Sequence, residues 1–177
     1  LQSWLDAGEL PVVASVTQLG AATARAVHSL HKQNACHLDL KPANVLFRDK
    51  PDGSVDLDQV VLLDFGLSFH AHFPDLMAEE LRKAVGSPTW IAPEQVVGVR
   101  GDPRSDVFAI GVMLYELATG RLPFGSPSTT GGLRQRLWMD PVPPRLRTEQ
   151  VPEWLQEVIL RCLEPEAVRR YPSAAHL

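Results

Sequence analysis

The stretch Ser105–Leu117 constrains the fold more than any other part of the chain. It reads Ser-Asp-Val-Phe-Ala-Ile-Gly-Val-Met-Leu-Tyr-Glu-Leu, apolar on nearly every helical face. A helix at a protein surface shows one apolar stripe, whereas a helix that is apolar all round must be enclosed by other elements. The pattern predicts a central buried helix, with Ser105 as N-cap, Asp106 at the positive end of the helix dipole and Gly120 ending it. Its longest plainly apolar run, Val107–Tyr115, is far too short to span a bilayer. The enclosing elements must therefore come from the rest of the chain.

Several segments can supply them. Val12–Lys32 carries Val13, Val16, Leu19, Ala22, Ala26 and Leu30 at helical steps, with Pro11 suited to a first turn. Pro152–Leu163 is amphipathic, with Trp154, Leu155, Val158, Ile159 and Cys162 on its apolar side, and Gly132–Met139 reads as a shorter helix. Val45–Phe47 and Val60–Leu63 read as two short strands, with the turn residues Pro51–Ser54 between them. The expected fold is mainly α: a helical bundle around a buried central helix, with a small β-hairpin. With 177 residues, 45% apolar and 21% charged, the chain is long enough for one folded domain. Seventeen basic against 21 acidic residues give a net charge of −4, which excludes a large basic face for nucleic acid. Two cysteines cannot form a disulfide framework, and no targeting or membrane segment is present in the sequence.

The chemistry concentrates in three short segments: His37-Leu38-Asp39-Leu40-Lys41-Pro42-Ala43-Asn44, Asp64-Phe65-Gly66 and Ala92-Pro93-Glu94. The first follows a helix and precedes a strand, the second follows a strand, and the third precedes the buried helix. Taken alone, the first two are common turn signals, and any one of the three is a weak indication. Together and in this order they resemble the catalytic C-terminal lobe of eukaryotic-like Ser/Thr protein kinases, and the resemblance spans essentially residues 1–177. Arg121–Gly125 and Arg170–Ala174 are similar to the bacterial branch of that family. Gly131–Trp138 is similar to kinases fused to a universal-stress-protein domain.

The resemblance implies roles for individual residues. Asp39 would accept the proton of the attacking hydroxyl, and Lys41 would place positive charge near the transferring phosphate and contact ATP. Asn44 and Asp64 would hold Mg²⁺, or Mn²⁺ in its place, as oxygen ligands. Ser87 matches a small hydroxyl residue that contacts the catalytic Asp and Lys. Asp106 matches a carboxylate that hydrogen-bonds the catalytic-loop backbone, and Glu94 and Arg170 match an ion pair joining the substrate-docking segment to the last helices. Lys41 and Ala92–Glu94 favour protein over small-molecule acceptors, so the implied reaction is γ-phosphate transfer from ATP to Ser or Thr of a protein. The need for ATP implies the cytoplasm.

Two departures qualify this picture. Leu38 stands where most of the family has an Arg that pairs with a phosphate on the activation segment, and residues 69–86 contain no Ser, Thr or Tyr. Both absences imply that no phosphorylation is needed in the middle of this segment. In addition, nothing in the 177 residues resembles a Gly-rich phosphate loop or a strand bearing an ATP-contacting Lys. The expectation is one C-terminal lobe over residues 1–177, a piece of a longer kinase whose N-terminal lobe is its first partner, and a poor catalyst alone. The rival readings are a pseudokinase that binds without catalysis and a small-molecule phosphotransferase. His37, Cys36, Cys162, Trp138 and Trp154 are expected to pack, and His70 and His72 to sit in a loop without metal.

Overall fold

A computed structural model describes residues 1–6, 12–51, 55–75 and 86–177. Among them are helices α1 (Gln2–Asp6), α2 (Val13–His31), α3 (Pro93–Val96), α4 (Arg104–Thr119), α5 (Thr130–Arg134) and α6 (Glu153–Cys162). Strands are β1 (Ala35–Cys36), β2 (Val45–Asp49), β3 (Val55–Leu62) and β4 (Phe69–His70). The fold is mainly helical. No described helix is long and apolar enough to cross a membrane. Pro11 and the turn residues Asp52–Ser54 lie outside the described residues.

Helix α4 is the buried centre that its composition predicts. Every residue of Ser105–Tyr115 is buried, as are Leu117, Ala118 and Thr119. Gly120 closes it in the left-handed conformation and donates its amide to the Glu116 carbonyl. The N-terminus differs from expectation. The helix starts at Arg104 with Pro103 at the cap position, and Ser105 lies inside the first turn, where its hydroxyl donates to Glu94 Oε1 at 2.6 Å. A partner distant in sequence has taken the hydroxyl from the local cap.

Two glycines let neighbouring helices close on α4. A Cβ at Gly20 of α2 would lie 2.5 Å from Leu114 Cδ2, and one at Gly111 of α4 would lie 2.5 Å from Cys162 Cβ of α6. These close approaches seal a core that includes Val16, Val27, Phe108, Ile110, Tyr115, Leu155 and Ile159. Trp154 and Trp138 are not part of it: they are 50% and 67% exposed. The helix expected over Gly132–Met139 is instead the short helix α5, Thr130–Arg134, followed by a 3₁₀ turn at Gln135–Leu137.

The strands pair in a nested order. β2 runs antiparallel to β3, with Val45 opposite Leu62 and a bulge between Phe47 and Arg48. β1 pairs antiparallel with β4, Ala35 opposite His70 and Cys36 opposite Phe69. The loop 37–44 joins β1 to β2, and the loop 63–68 joins β3 to β4. The two ladders therefore hold the ends of both loops together, so the first two motifs face each other. The hairpin is longer than its apolar runs indicate, and β1 and β4 carry too few residues to show a period.

Glu116, on α4, tests the fold through pH. Its Oε2 is buried without a partner among the described residues. Burial, with a lesser contribution from Asp6, raises its pKa above the ordinary Glu value. Folding thus favours the protonated acid, and stability falls as pH rises from the ordinary Glu range through the raised value. Glu116→Gln should flatten this slope and raise the melting temperature at pH 8 more than at pH 5. About 1 kcal/mol corresponds to roughly 2–4 °C in a domain of this size. Equal shifts at the two pH values would contradict the assignment.

Candidate active site

Asp39 lies in the loop between β1 and β2 and is 8% exposed. Its Oδ2 accepts from Lys41 Nζ at 2.8 Å, and its Oδ1 accepts from the Ser87 amide at 2.8 Å. Lys41 Nζ also donates to Ser87 Oγ at 2.9 Å. One carboxylate, one ammonium and one hydroxyl thus meet from two segments 46 residues apart. Such charge-assisted bonds fix both charged groups in orientation.

The loop itself is held by backbone contacts. Asn44 Nδ2 donates to the Asp39 carbonyl at 2.9 Å. His37 Nδ1 accepts from the Asp39 amide at 3.4 Å, and His37 Nε2 bonds the Leu63 carbonyl at 2.9 Å. An amide donor on one nitrogen and a carbonyl on the other fix the neutral tautomer with hydrogen on Nε2. His37 is therefore a bracket between the two loops. The Leu63 amide donates to the Asn44 carbonyl at 2.9 Å, so Asn44 and Asp64 sit beside each other at the end of the β2–β3 ladder. Asp64 is solvent-exposed and has φ 60°, in the left-handed region that costs a non-glycine residue about 1–2 kcal/mol. Its Oδ1 accepts from the Gly66 amide at 3.3 Å.

Asp106, at the start of α4, is 1% exposed. Its Oδ2 accepts from the His37 amide and from His31 Nε2, both at 2.9 Å, and its Oδ1 accepts from the Leu38 amide at 2.9 Å. These bonds hold Leu38 at φ 63°. His31, Cys36 and Asp106 bring three potential metal-ligand atoms within 4.8 Å of one another. Both Asp106 oxygens are already committed to the loop backbone, however. Burial, and then the Asp106 and Asp102 carboxylates, push the Cys36 thiol up to about 12, which makes it inert as a thiolate. Cys162 is fully buried, and its thiol is also pushed up to about 12 by burial.

The third motif is anchored from behind. Glu94 pairs with Arg170 through Oε1–Nη1 and Oε2–Nη2, each 2.8 Å. The Arg170 side chain is 0% exposed and also donates to the carbonyls of Arg104, Glu164 and Pro165. Its guanidinium lies 4.9 Å over the Phe108 ring. Two further anchors escape sequence reasoning. Gln95 Nε2 donates to the Leu38 carbonyl at 2.9 Å while its Oε1 accepts the Ala92 amide at 3.0 Å, tying the third motif to the first. Arg136, 1% exposed, donates to the carbonyls of Ile91 at 2.5 Å and Thr89 at 3.4 Å. Burial lowers its pKa to about 10. Gln95 adjoins the third motif, so position alone was a hint to its role; Arg136 has no local signal.

The donors near Asp64 suit a hard cation. The amide nitrogen of Asn44 is occupied by the Asp39 carbonyl, which leaves its oxygen as the free donor, and Asp64 presents an exposed carboxylate.

The protein kinase domain model matches residues 11–177. The chain is 38% identical over 167 residues to the serine/threonine-protein kinase PkaA of Streptomyces coelicolor, covering 94% of this chain and 28% of that protein. It is 34% identical over 177 residues to the serine/threonine-protein kinase Pkn1 of Myxococcus xanthus, covering 99% and 24%. PknB of Mycobacterium tuberculosis, also a serine/threonine-protein kinase, is 30% identical over 157 residues, covering 89% and 24%. The chain spans about a quarter of the length of these curated relatives. With these matches across nearly its whole length, the chain belongs to the protein kinase domain family.

Proposed function

We propose that residues 1–177 form the C-terminal lobe of a bacterial eukaryotic-like Ser/Thr protein kinase that transfers the γ-phosphate of ATP to protein hydroxyls in the cytoplasm. The observation that carries this reading is the Asp39–Lys41–Ser87 triangle at 2.8–2.9 Å. Asp39 orients the acceptor hydroxyl and takes its proton, and Lys41 sets positive charge beside the forming bond. Ser87 ties the docking segment to both, so that acceptor position and catalytic charge are set together. Asn44 and Asp64 would hold Mg²⁺, with Mn²⁺ as a substitute. When bound, the ion neutralises phosphate charge.

An exposed apolar strip supports the assignment to one lobe of two. Leu46 and Val61 face each other across β2 and β3, and with Leu63 and Phe65 each is 37–47% exposed. Phe65 belongs to the second motif, so the strip borders the site. Contiguous apolar surface of this kind marks an interaction face. Its occupant in this reading is the N-terminal lobe, which would supply the phosphate loop and its Lys.

The acceptor class is testable with the full-length protein and γ-labelled ATP. Label should appear on Ser and Thr of mixed peptides and not on Tyr, choline or an aminoglycoside. Label on the small molecules alone would overturn the protein-kinase reading. Nucleotide binding with no transfer to any acceptor would make the protein a pseudokinase.

A further inference from the structure

Arg100, in the loop between α3 and α4, reaches back to the segment that follows Asp64. Its Nε donates to Asp75 Oδ2 at 2.8 Å, and its Nη2 reaches Asp75 Oδ1 at 3.5 Å. The same Nη2 donates to the Leu67 carbonyl at 2.9 Å. The Arg100 and Asp75 side chains are 12% and 16% exposed. One guanidinium thus grips both ends of residues 67–75. Leu67 is three residues beyond Asp64, and the Ser68 amide folds back onto the Phe65 carbonyl at 3.1 Å. The exit of the loop bearing Asp64 is therefore fastened by Arg100 on one side and by the β1–β4 ladder on the other.

A solvent-exposed ion pair would contribute about 0–1 kcal/mol and position little. This pair is mostly buried, is bound through two guanidinium nitrogens and includes a backbone carbonyl. It also sits in a chain with Leu38 at the position after His37 and no Ser, Thr or Tyr over residues 69–86. We propose that Arg100 and Asp75 form a permanent clamp on this segment, with the Asp75 carboxylate supplying a fixed charge that needs no phosphorylation. Arg100 is a positioning residue: it acts through the Leu67 carbonyl on the loop that carries Asp64. The proposal rests on the phosphotransfer reading above.

The test compares the full-length wild type with Arg100→Met, Asp75→Ala and the double variant. Amide hydrogen exchange over residues 65–70 should quicken in each variant while exchange in helix α4 keeps its wild-type rate, so that the change is local and distinct from any fall in global stability. Peptide phosphorylation should fall about tenfold, and the Mg²⁺ concentration for half-maximal rate should rise by a similar factor, the scale typical of residues that support a metal ligand. The double variant should be no worse than the worse single. Arg100→Lys keeps the charge but not the fork, and should fall between wild type and Arg100→Met. It also serves if Arg100→Met does not fold. Phosphatase treatment should leave the wild-type rate unchanged. Wild-type exchange in Arg100→Met, or additive losses in the double variant, would overturn the clamp. If the wild type transfers no phosphate, the phosphotransfer reading fails, while the exchange comparison still decides the clamp.

Discussion

Arg170→Met should destabilise the domain by about 3–5 kcal/mol, the usual cost of removing one partner from a buried, hydrogen-bonded ion pair. The variant leaves the Glu94 carboxylate, with a side chain 13% exposed, without its guanidinium, holding the Ser105 hydroxyl as its remaining hydrogen-bond donor among the described residues. It also leaves the Arg104, Glu164 and Pro165 carbonyls without their donor. Its neighbour Arg169 is the control. Arg169 and Glu166 form a pair at 3.2 Å, but their side chains are 64% and 61% exposed, so Arg169→Ala should change stability by less than about 1 kcal/mol. Chemical denaturation of the two variants separates these values. A near-neutral Arg170→Met would mean that the Glu94 charge finds water or another donor, and that the third motif is not held from this side.

Lys41→Met should slow phosphoryl transfer by about 10²–10³, the scale measured when one preorganised charge-stabilising donor is removed. The effect should fall on kcat, because in this account Lys41 acts where charge develops and not on the unreacted acceptor. The variant also releases Asp39 Oδ2 and Ser87 Oγ from the ammonium that joins them. Ser87→Ala should cost less, since the backbone amide of residue 87 still donates to Asp39 Oδ1. Steady-state kinetics on a Ser peptide checks both. A Lys41→Met variant with raised KM and unchanged kcat would make Lys41 a binding residue only.

Some of this was legible in the sequence, and the limits have physical causes. Helix α4 could be read because burial on every face leaves an apolar signature independent of its partners. Helix α2 was legible from its periodicity, and the β2–β3 hairpin from its short β-branched apolar runs and the turn residues between them. Ser105 was misplaced because a hydroxyl near a helix start has a local use as a cap and a distant one at Glu94, and only the fold shows which partner arrives. The apolar side of α6 was read too widely: Leu155, Ile159 and Cys162 are buried, but Trp154 is half exposed. Gly20 and Gly111 carry no local signal because their role is set by Leu114 and Cys162 on facing helices. Residues of the site were named from motif order, yet some of the bonds that hold their segments come from Gln95 and Arg136, which no motif named. Polar side chains choose partners across the fold, and spacing along the chain does not record that choice. The middle of the activation segment, residues 76–85, lies outside the described residues.

The central claim is that Asp39 belongs to a catalytic phosphoryl-transfer site. The most direct measurement is γ-phosphate incorporation into a Ser/Thr peptide by the full-length protein and by its Asp39→Asn form, with melting temperatures recorded in parallel. Asparagine keeps the shape but has one acceptor oxygen where the carboxylate has two, so it can keep the bond from the Ser87 amide while its NH2 takes the place of the oxygen that accepts from Lys41, and it cannot take the hydroxyl proton. Incorporation should fall by about 10²–10⁴, the range for loss of a general base, with the melting temperature little changed. Equal incorporation by the two proteins would contradict the account and remove Asp39 from its role.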